Sequence, residues 1–324
     1  MGKLGVRRRT HHSRMKLLSL PQTRNPVNSR NDSRRPLPWL RMATMAGLLI
    51  TLAASAVDAT AQSPSSAAKL SPERIAEILA SPDRSAADRT NDIRRKPAQM
   101  LAFIGIVPGM VAVDLSSGGG YTTELIARAV GPTGRAYGQS APRDPARAPT
   151  PPAAPEGAAT PAAPAPSAPA ATASATPTTP MRLAERAKNP AAGNIVAVVQ
   201  KFEDPFPAAV ASNGVDLVTL MFNYHDLGHM GVDRAQMNKA VFAALKPGGM
   251  YVIADHSGRP GTGISESGTL HRVEEAFLRK EVEAAGFKLV AEGDFMRNPS
   301  DPRDKNTPDP PQPKDEFVLK FVKP

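Results

Sequence analysis

Between residues 225 and 272 the sequence sets four histidines, three of them beside an acid or a base: His225-Asp226, His229, Asp255-His256 and His271-Arg272. An imidazole changes charge near neutral pH and a carboxylate can orient it, so such pairs suit the removal of a proton from a hydroxyl or amine. His225 with Asp226 or Asp255 is the preferred acid/base set. The same residues also have a structural reading, in which His225 only fixes loop backbone and His229 is a solvated loop residue. His225, His229, Asp255 and His256 are the right donor types for a metal ion. They show no diagnostic ligand spacing on a known element, and no metal site is assigned.

A second constellation lies upstream, in "VDLSSGGGYTTE", residues 113–124. An apolar run ends in Asp114, bends through Ser116, Ser117, Gly118, Gly119 and Gly120, and opens a helical pattern at Tyr121. Glycines let backbone turn sharply and approach a ligand closely, and a helix start offers unpaired N–H groups. One glycine-rich loop is a weak signal, but a strand before it and a helix after it strengthen it.

The elements that must position these groups alternate along the chain. "VAVDL", "GRAYGQ", "NIVAVVQ", "VDLVTLMF", "MYVIAD", "FKLVAE" and "EFVLKFV" read as strands. The fourth is almost continuously apolar, as in a strand buried on both faces. Helices are expected from Ser71-Pro72, over Pro97–Gly105, over "TTELIARAV", around "LAERA", from the Asp233–Gln236 capping box, and around Val273, Phe277 and Leu278. The last two strands have no helix between them. The expected fold class is α/β: a doubly wound, mostly parallel, seven-stranded sheet with a terminal antiparallel strand. Such sheets bind ligands beyond the carboxyl ends of their strands.

Taken in order, "VDLSSGGGY", "VDLVTLMFNYHD" and "LKPGGMYVIAD" resemble the class I, S-adenosylmethionine-dependent methyltransferases. The chain is similar in particular to an exported group of these whose substrates are unassigned. The resemblance covers about residues 90–140 and 181–324 and implies a Rossmann-like methyltransferase fold. It implies that Asp114 and Gly118, Gly119 and Gly120 line the methionine part of S-adenosylmethionine, with Ser116 and Tyr121 beside them. It further implies that Asp204 accepts from the adenine amino group, and that Asn223 and Tyr224 border the reaction centre. Two positions depart from the family pattern. Ser116 stands where the family carries a glycine, and the second strand ends in Gln139 and Ser140 where the family has an acid for the ribose hydroxyls. Ser140 is the remaining ribose-side candidate, and neutral groups bond more weakly than a carboxylate there.

Composition bounds the partners. Residues 1–61 carry 11 Lys/Arg against 2 Asp/Glu, whereas the other 263 residues carry 29 against 28. The basic character therefore belongs to the leader, and the body shows no electrostatic footprint for nucleic acid. The leader reads as an export signal: an Arg-rich stretch to Arg41, an apolar run over residues 42–57, and Ala59-Thr60-Ala61 as a small-x-small cleavage pattern. Cleavage after Ala61 makes the body periplasmic; the alternative is an anchor over 42–57, and the signal or anchor is then the only membrane element. There is no cysteine, so disulfides and thiolate metal sites are excluded. Residues 141–180 hold 12 Pro and 15 Ala with no apolar periodicity, and are expected to be a disordered insertion within a single domain spanning 62–324. Asp92, Arg94, Arg95 and Lys96 read either as a solvated charged approach to the first core helix or as a cap over a cofactor. Residues 297–306 read as a surface loop or a cover for the acceptor pocket.

Two functions follow. One is methyl transfer from S-adenosylmethionine to an oxygen or nitrogen of a small molecule, with His225 taking the acceptor's proton. The other is an exported protein that keeps the fold but binds another ligand or a metal and does not methylate. The second reading is motivated by export away from a cytosolic cofactor and by the missing ribose acid.

Overall fold

The computed structural model of the chain describes residues 68–143, 177–306 and 313–324. The expected export signal or anchor, the cleavage site and residues 144–176 of the insertion lie outside them. Along the chain run α1 (Pro72–Ala80), α2 (Ala86–Arg95), α3 (Pro97–Ile104), β1 (Val111–Leu115), α4 (Tyr121–Val130), β2 (Arg135–Ser140) and α5 (Thr179–Arg186). Then come β3 (Ile195–Val199), β4 (Val215–Met221), α6 (Asp226–His229), α7 (Arg234–Ala244), β5 (Leu245–His256), α8 (Ser267–Leu270), α9 (Glu275–Ala284), β6 (Lys288–Gly293) and β7 (Glu316–Val322). Because α5 begins at Thr179, the insertion ends earlier than its composition suggests.

The seven strands form one sheet in the order β3-β2-β1-β4-β5-β7-β6. β1 to β5 pair in parallel, and β7 inserts antiparallel between β5 and β6. This is the expected doubly wound α/β sheet with an antiparallel terminal strand. The sequence alternation explains its two cores. On β1, β4 and β5, Val113, Val218, Leu220, Tyr251 and Ile253 face α7 and α9, while Ala112, Leu217, Val252 and Ala254 face α1, α3 and α4. Successive strand side chains point to opposite faces, so apolar residues at every position fill both layers.

Local signals fix the helices. Ser71 caps α1 by accepting from Arg74 N at 3.2 Å, and Asp233 caps α7 by accepting from Gln236 N at 2.9 Å. α2 is the exception. Its only buried residue is Asp88, and Ile93 is 81% exposed. Ion pairs hold it instead: Arg186 takes Asp88 at 2.7 and 2.8 Å, and Arg84 takes Asp92 through two 2.7 Å bonds. Its C-terminus lies against the carboxyl ends of the strands. Arg94 reaches Glu316 at 3.1 Å, and the Arg95 guanidinium lies 4.0 Å from the centre of the Phe222 ring.

Candidate functional site

The winding of the sheet reverses between β1 and β4, and the crevice beyond their carboxyl ends is where such sheets take ligands. One side chain pair spans it: Ser116, after β1, donates its hydroxyl to Asn223 Oδ1, after β4. Ser116 adopts φ +54°, Phe222 +60° and His271 +50°, all left-handed for residues that carry a Cβ. Such strain costs of order 1–3 kcal/mol per residue, persists only where its surroundings enforce it, and concentrates at functional sites.

The loop between β1 and α4 is made of backbone. Gly118 and Gly119 are exposed. Gly120 sits at φ +80°, and a Cβ there would meet Leu183 Cδ2 and Arg186 Cδ at 2.8 Å. Glycine is thus demanded twice at Gly120, while Gly118 and Gly119 leave an uncovered backbone surface at the start of α4. Arg186 Nε donates to Gly119 O at 2.7 Å and ties α5 to the loop. Tyr121 donates its hydroxyl to Asp92 at 2.7 Å and ties α2 to the opposite side.

Several of the expected ligand contacts are otherwise engaged. Asp114 is buried, with Thr123 Oγ1 donating to one oxygen at 2.6 Å and Thr219 Oγ1 to the other at 2.8 Å. Burial pushes its carboxyl up to about 6, against those hydroxyls. It braces β1, β4 and α4 beneath the loop rather than lining the crevice. Gln139 is also fully buried. Its Oε1 accepts from Ser116 N at 3.0 Å and its Nε2 donates to Gln200 O at 2.7 Å, so it shapes the loop and is closed to a ligand. Ser140 is half-buried at the end of β2, and Asp204 is exposed after β3. Tyr224 turns away from the crevice. It is fully buried, donates to Glu281 at 2.7 Å and accepts from Asn238 Nδ2 at 3.1 Å, so it belongs to the core under α7 and α9.

Across the crevice the histidines converge. Asp255, with no exposed surface, accepts from His225 N at 2.8 Å and His256 N at 2.7 Å, and its Oδ1 lies 2.6 Å from His225 Nδ1. His225 Nε2 lies 3.2 Å from Asp226 Oδ1, and the same oxygen lies 2.9 Å from His271 Nδ1 and 3.9 Å from His229 Nδ1. Asn223 Nδ2 donates to the other oxygen of Asp226 at 2.7 Å. Burial opposes charge on His225, but Asp255 and Asp226 outweigh it and lift the imidazole to about 10. Burial would likewise raise Asp226, but His225 and His271 hold it down at about 2. His225 is therefore clamped between two carboxylates that favour its charged form. Both of its ring nitrogens face carboxylate oxygens, Asp255 at Nδ1 and Asp226 at Nε2, so the base role expected of it would have to act through one of those carboxylates.

The exposed end of the array is Asp226 with His271, their side chains 23% and 39% exposed. His271 is noted in the sequence with the other histidines but is given no role there. Its signal was its place beyond the strand ends, shared with the other histidines, but its pairing with Asp226 across 45 residues has no trace in local spacing. His229 is occupied by Ser267, whose Oγ accepts from His229 N at 2.9 Å and lies 3.0 Å from Nδ1. His256 stands 3.0 Å from Glu316. Loop 297–306 is held to the body by Asp301, which receives the fully buried Arg272 at 2.8 and 3.2 Å.

No family model and no curated protein matches the chain. Among solved structures it is similar to an S-adenosylmethionine-dependent methyltransferase from Aquifex aeolicus, at 14% identity and TM-score 0.48, over 79% of this chain and 100% of that one. It is also similar to an arsenic(III) S-adenosylmethionine methyltransferase from Chlamydomonas reinhardtii, at 14% identity and TM-score 0.45, over 78% and 74%. A third is a TehB-like S-adenosylmethionine-dependent methyltransferase from Corynebacterium glutamicum, at 13% identity and TM-score 0.40, over 74% and 99%. The fold assignment rests on this chain's own strand order and register.

Proposed function

We propose that the protein is an S-adenosylmethionine-dependent methyltransferase acting on an oxygen or nitrogen of a small molecule. The observation that carries this reading is the loop at the reversal of the sheet, where exposed Gly118 and Gly119 open the start of α4. A ligand can approach backbone there with no Cβ in the way. These residues fit the cofactor's polar chain, with Ser116 and Tyr121 flanking it, Ser140 on the ribose side, Asp204 on the adenine side and Asn223 at the reacting end. When bound, the cofactor supplies an electrophilic methyl group. The chain's own part is to hold the acceptor in line with it, and correct orientation of reactants can supply ~7–11 kcal/mol of the barrier.

The proton chemistry falls to Asp226 and His271. Asp226 Oδ1 stands 2.9 Å from His271 Nδ1, which leaves Nε2 as the ring nitrogen that Asp226 does not engage. Asp255 holds His225 and His225 holds Asp226 from behind, so both are positioning residues. The periplasmic location expected from the leader belongs to the same reading, and requires that the cofactor reach the exported protein or that methylation precede export.

The test is calorimetric titration of S-adenosylmethionine and S-adenosylhomocysteine into the full chain and a Gly119→Arg variant. A Cβ at Gly119 meets nothing closer than Arg182 Nη1 at 3.7 Å, so the variant obstructs the loop without disturbing the core. Saturable binding of both ligands, lost in the variant, is expected. Absence of heat and of thermal stabilisation at high ligand concentration would sink the reading in favour of a protein that keeps the fold for another ligand.

A further inference from the structure

We propose that His225 Nε2, Asp226 Oδ1 and His271 Nδ1 form a site for one divalent first-row transition-metal ion. The three donor atoms lie within 4.8 Å of one another. Two of the separations are 2.9 Å, His271 to Asp226, and 3.2 Å, His225 to Asp226. Ion–donor bonds of about 2.0–2.2 Å place neighbouring ligands roughly 3.0–3.5 Å apart, so these two pairs need only small side-chain adjustments to receive an ion.

Three further features match a metal centre better than a set of isolated hydrogen bonds. Behind His225 stands Asp255, buried and 2.6 Å from Nδ1, which turns Nε2 toward the cluster. A carboxylate on the far nitrogen of a ligating histidine is the usual second shell of such centres. Behind Asp226 stands Asn223, donating at 2.7 Å to the oxygen that the histidines do not use. His271 is held at φ +50°, in the left-handed region, and its ring packs edge-on against His225 with centroids 5.5 Å apart. Two imidazoles and one carboxylate favour zinc, iron(II), manganese or cobalt over magnesium or calcium, which take oxygen donors. The partial exposure of Asp226 and His271 leaves coordination positions open.

Uptake of the ion releases to solvent the proton that His225 Nε2 shares with Asp226. At His271 the ring proton shifts from Nδ1 to Nε2 so that Nδ1 can hold the ion, and the metal-loaded form and a proton relay through Asp226–His271 therefore exclude each other. The site is independent of whether the glycine loop holds S-adenosylmethionine.

The experiment is cobalt(II) titration of the full chain after chelator treatment, read by visible ligand-field absorption and by metal content after desalting. The expected result is one equivalent of cobalt with an N/O-type spectrum, displaced by zinc. Asp226→Asn and His271→Asn should each weaken uptake by more than about 100-fold, since even second-shell changes at metal sites cost 10–100-fold. Asparagine tolerates the backbone of His271, and circular dichroism confirms that each variant is folded. Absence of cobalt uptake by the parent chain would overturn the proposal. So would uptake that persists in either folded variant, which would assign it to other donors such as the adjacent His11 and His12. Neither readout involves Gly119, so failure here is separate from failure of cofactor binding.

Discussion

The two sides of the crevice are built from different material. On the β1–β2 side the surface is backbone and neutral groups: Gly118, Gly119 and Ser140 reach it, while Asp114 and Gln139 are spent inside on threonine hydroxyls and loop amides. On the β4–β5 side it is titratable side chains, from buried Asp255 through His225 to half-exposed Asp226 and His271. The first side should be sensitive to added atoms and tolerant of lost charge. The second should show the opposite pattern, because each charge there is held in place by the next.

The largest effect is expected on the ionic side. Asp255→Ala leaves the His225 imidazolium buried with one carboxylate removed and two backbone donors unpaired. Breaking a buried pair from one side typically costs about 3–5 kcal/mol. Urea unfolding of the variant should show a loss in that range, and a loss under ~1 kcal/mol would mean that the array carries no such interdependence.

On the neutral side the corresponding buried acid gives a pH signature. Burial raises the Asp114 carboxyl to about 6 in the fold, from an ordinary 3.8. Between those values the folded chain holds a proton that the unfolded chain has lost, so stability falls as pH rises through this window. The fall is on the order of 3 kcal/mol, complete above about pH 6. Asp114→Asn should remove the slope between about pH 4 and 6 while keeping bonds to Thr123 and Thr219. An unchanged slope would place the titration on other carboxylates.

Added atoms sharpen the contrast further. Gly120→Ala drives a Cβ to 2.8 Å from Leu183 and Arg186 at φ +80°, so a destabilisation of about 1–3 kcal/mol is expected. Gly119→Ala meets only Arg182 Nη1 at 3.7 Å, an ordinary contact, and should stay within ~0.5 kcal/mol. Equal thermal shifts for the two would show that the loop yields rather than resists.

The same contrast decides what the sequence revealed. Most strands were legible because their apolar residues fill one or both cores, and β7 was read over the residues it occupies, 316–322. The glycine loop was legible because backbone geometry leaves its mark on neighbouring residues. α2 left no such mark: a helix held by Asp88–Arg186, Arg84–Asp92 and Tyr121–Asp92 has no apolar face to show a period. The residue types at the site were legible but their roles were not. Whether Tyr224 faces the crevice or the core, and whether His225 is free or clamped, depends on Glu281, Asn238 and Asp255, none of which is a neighbour in sequence.

The smallest effect tests the neutral side as a cofactor surface. Ser140 ends β2, and the buried Gln139 beside it cannot turn outward without releasing Ser116 N and Gln200 O. The ribose side therefore presents a hydroxyl where an ionised acceptor would make a stronger bond. Ser140→Asp adds that acceptor at a half-buried position without displacing a core residue. A hydrogen bond to a charged group is worth about 1.5–3 kcal/mol against about 1 for a neutral one, so S-adenosylmethionine should bind roughly tenfold more tightly. Ser140→Ala should bind it slightly less well, and calorimetry reads both. Affinity that is unchanged in both variants would move the ribose away from β2 and take the adenosine pose out of the reading, whatever the histidine side does.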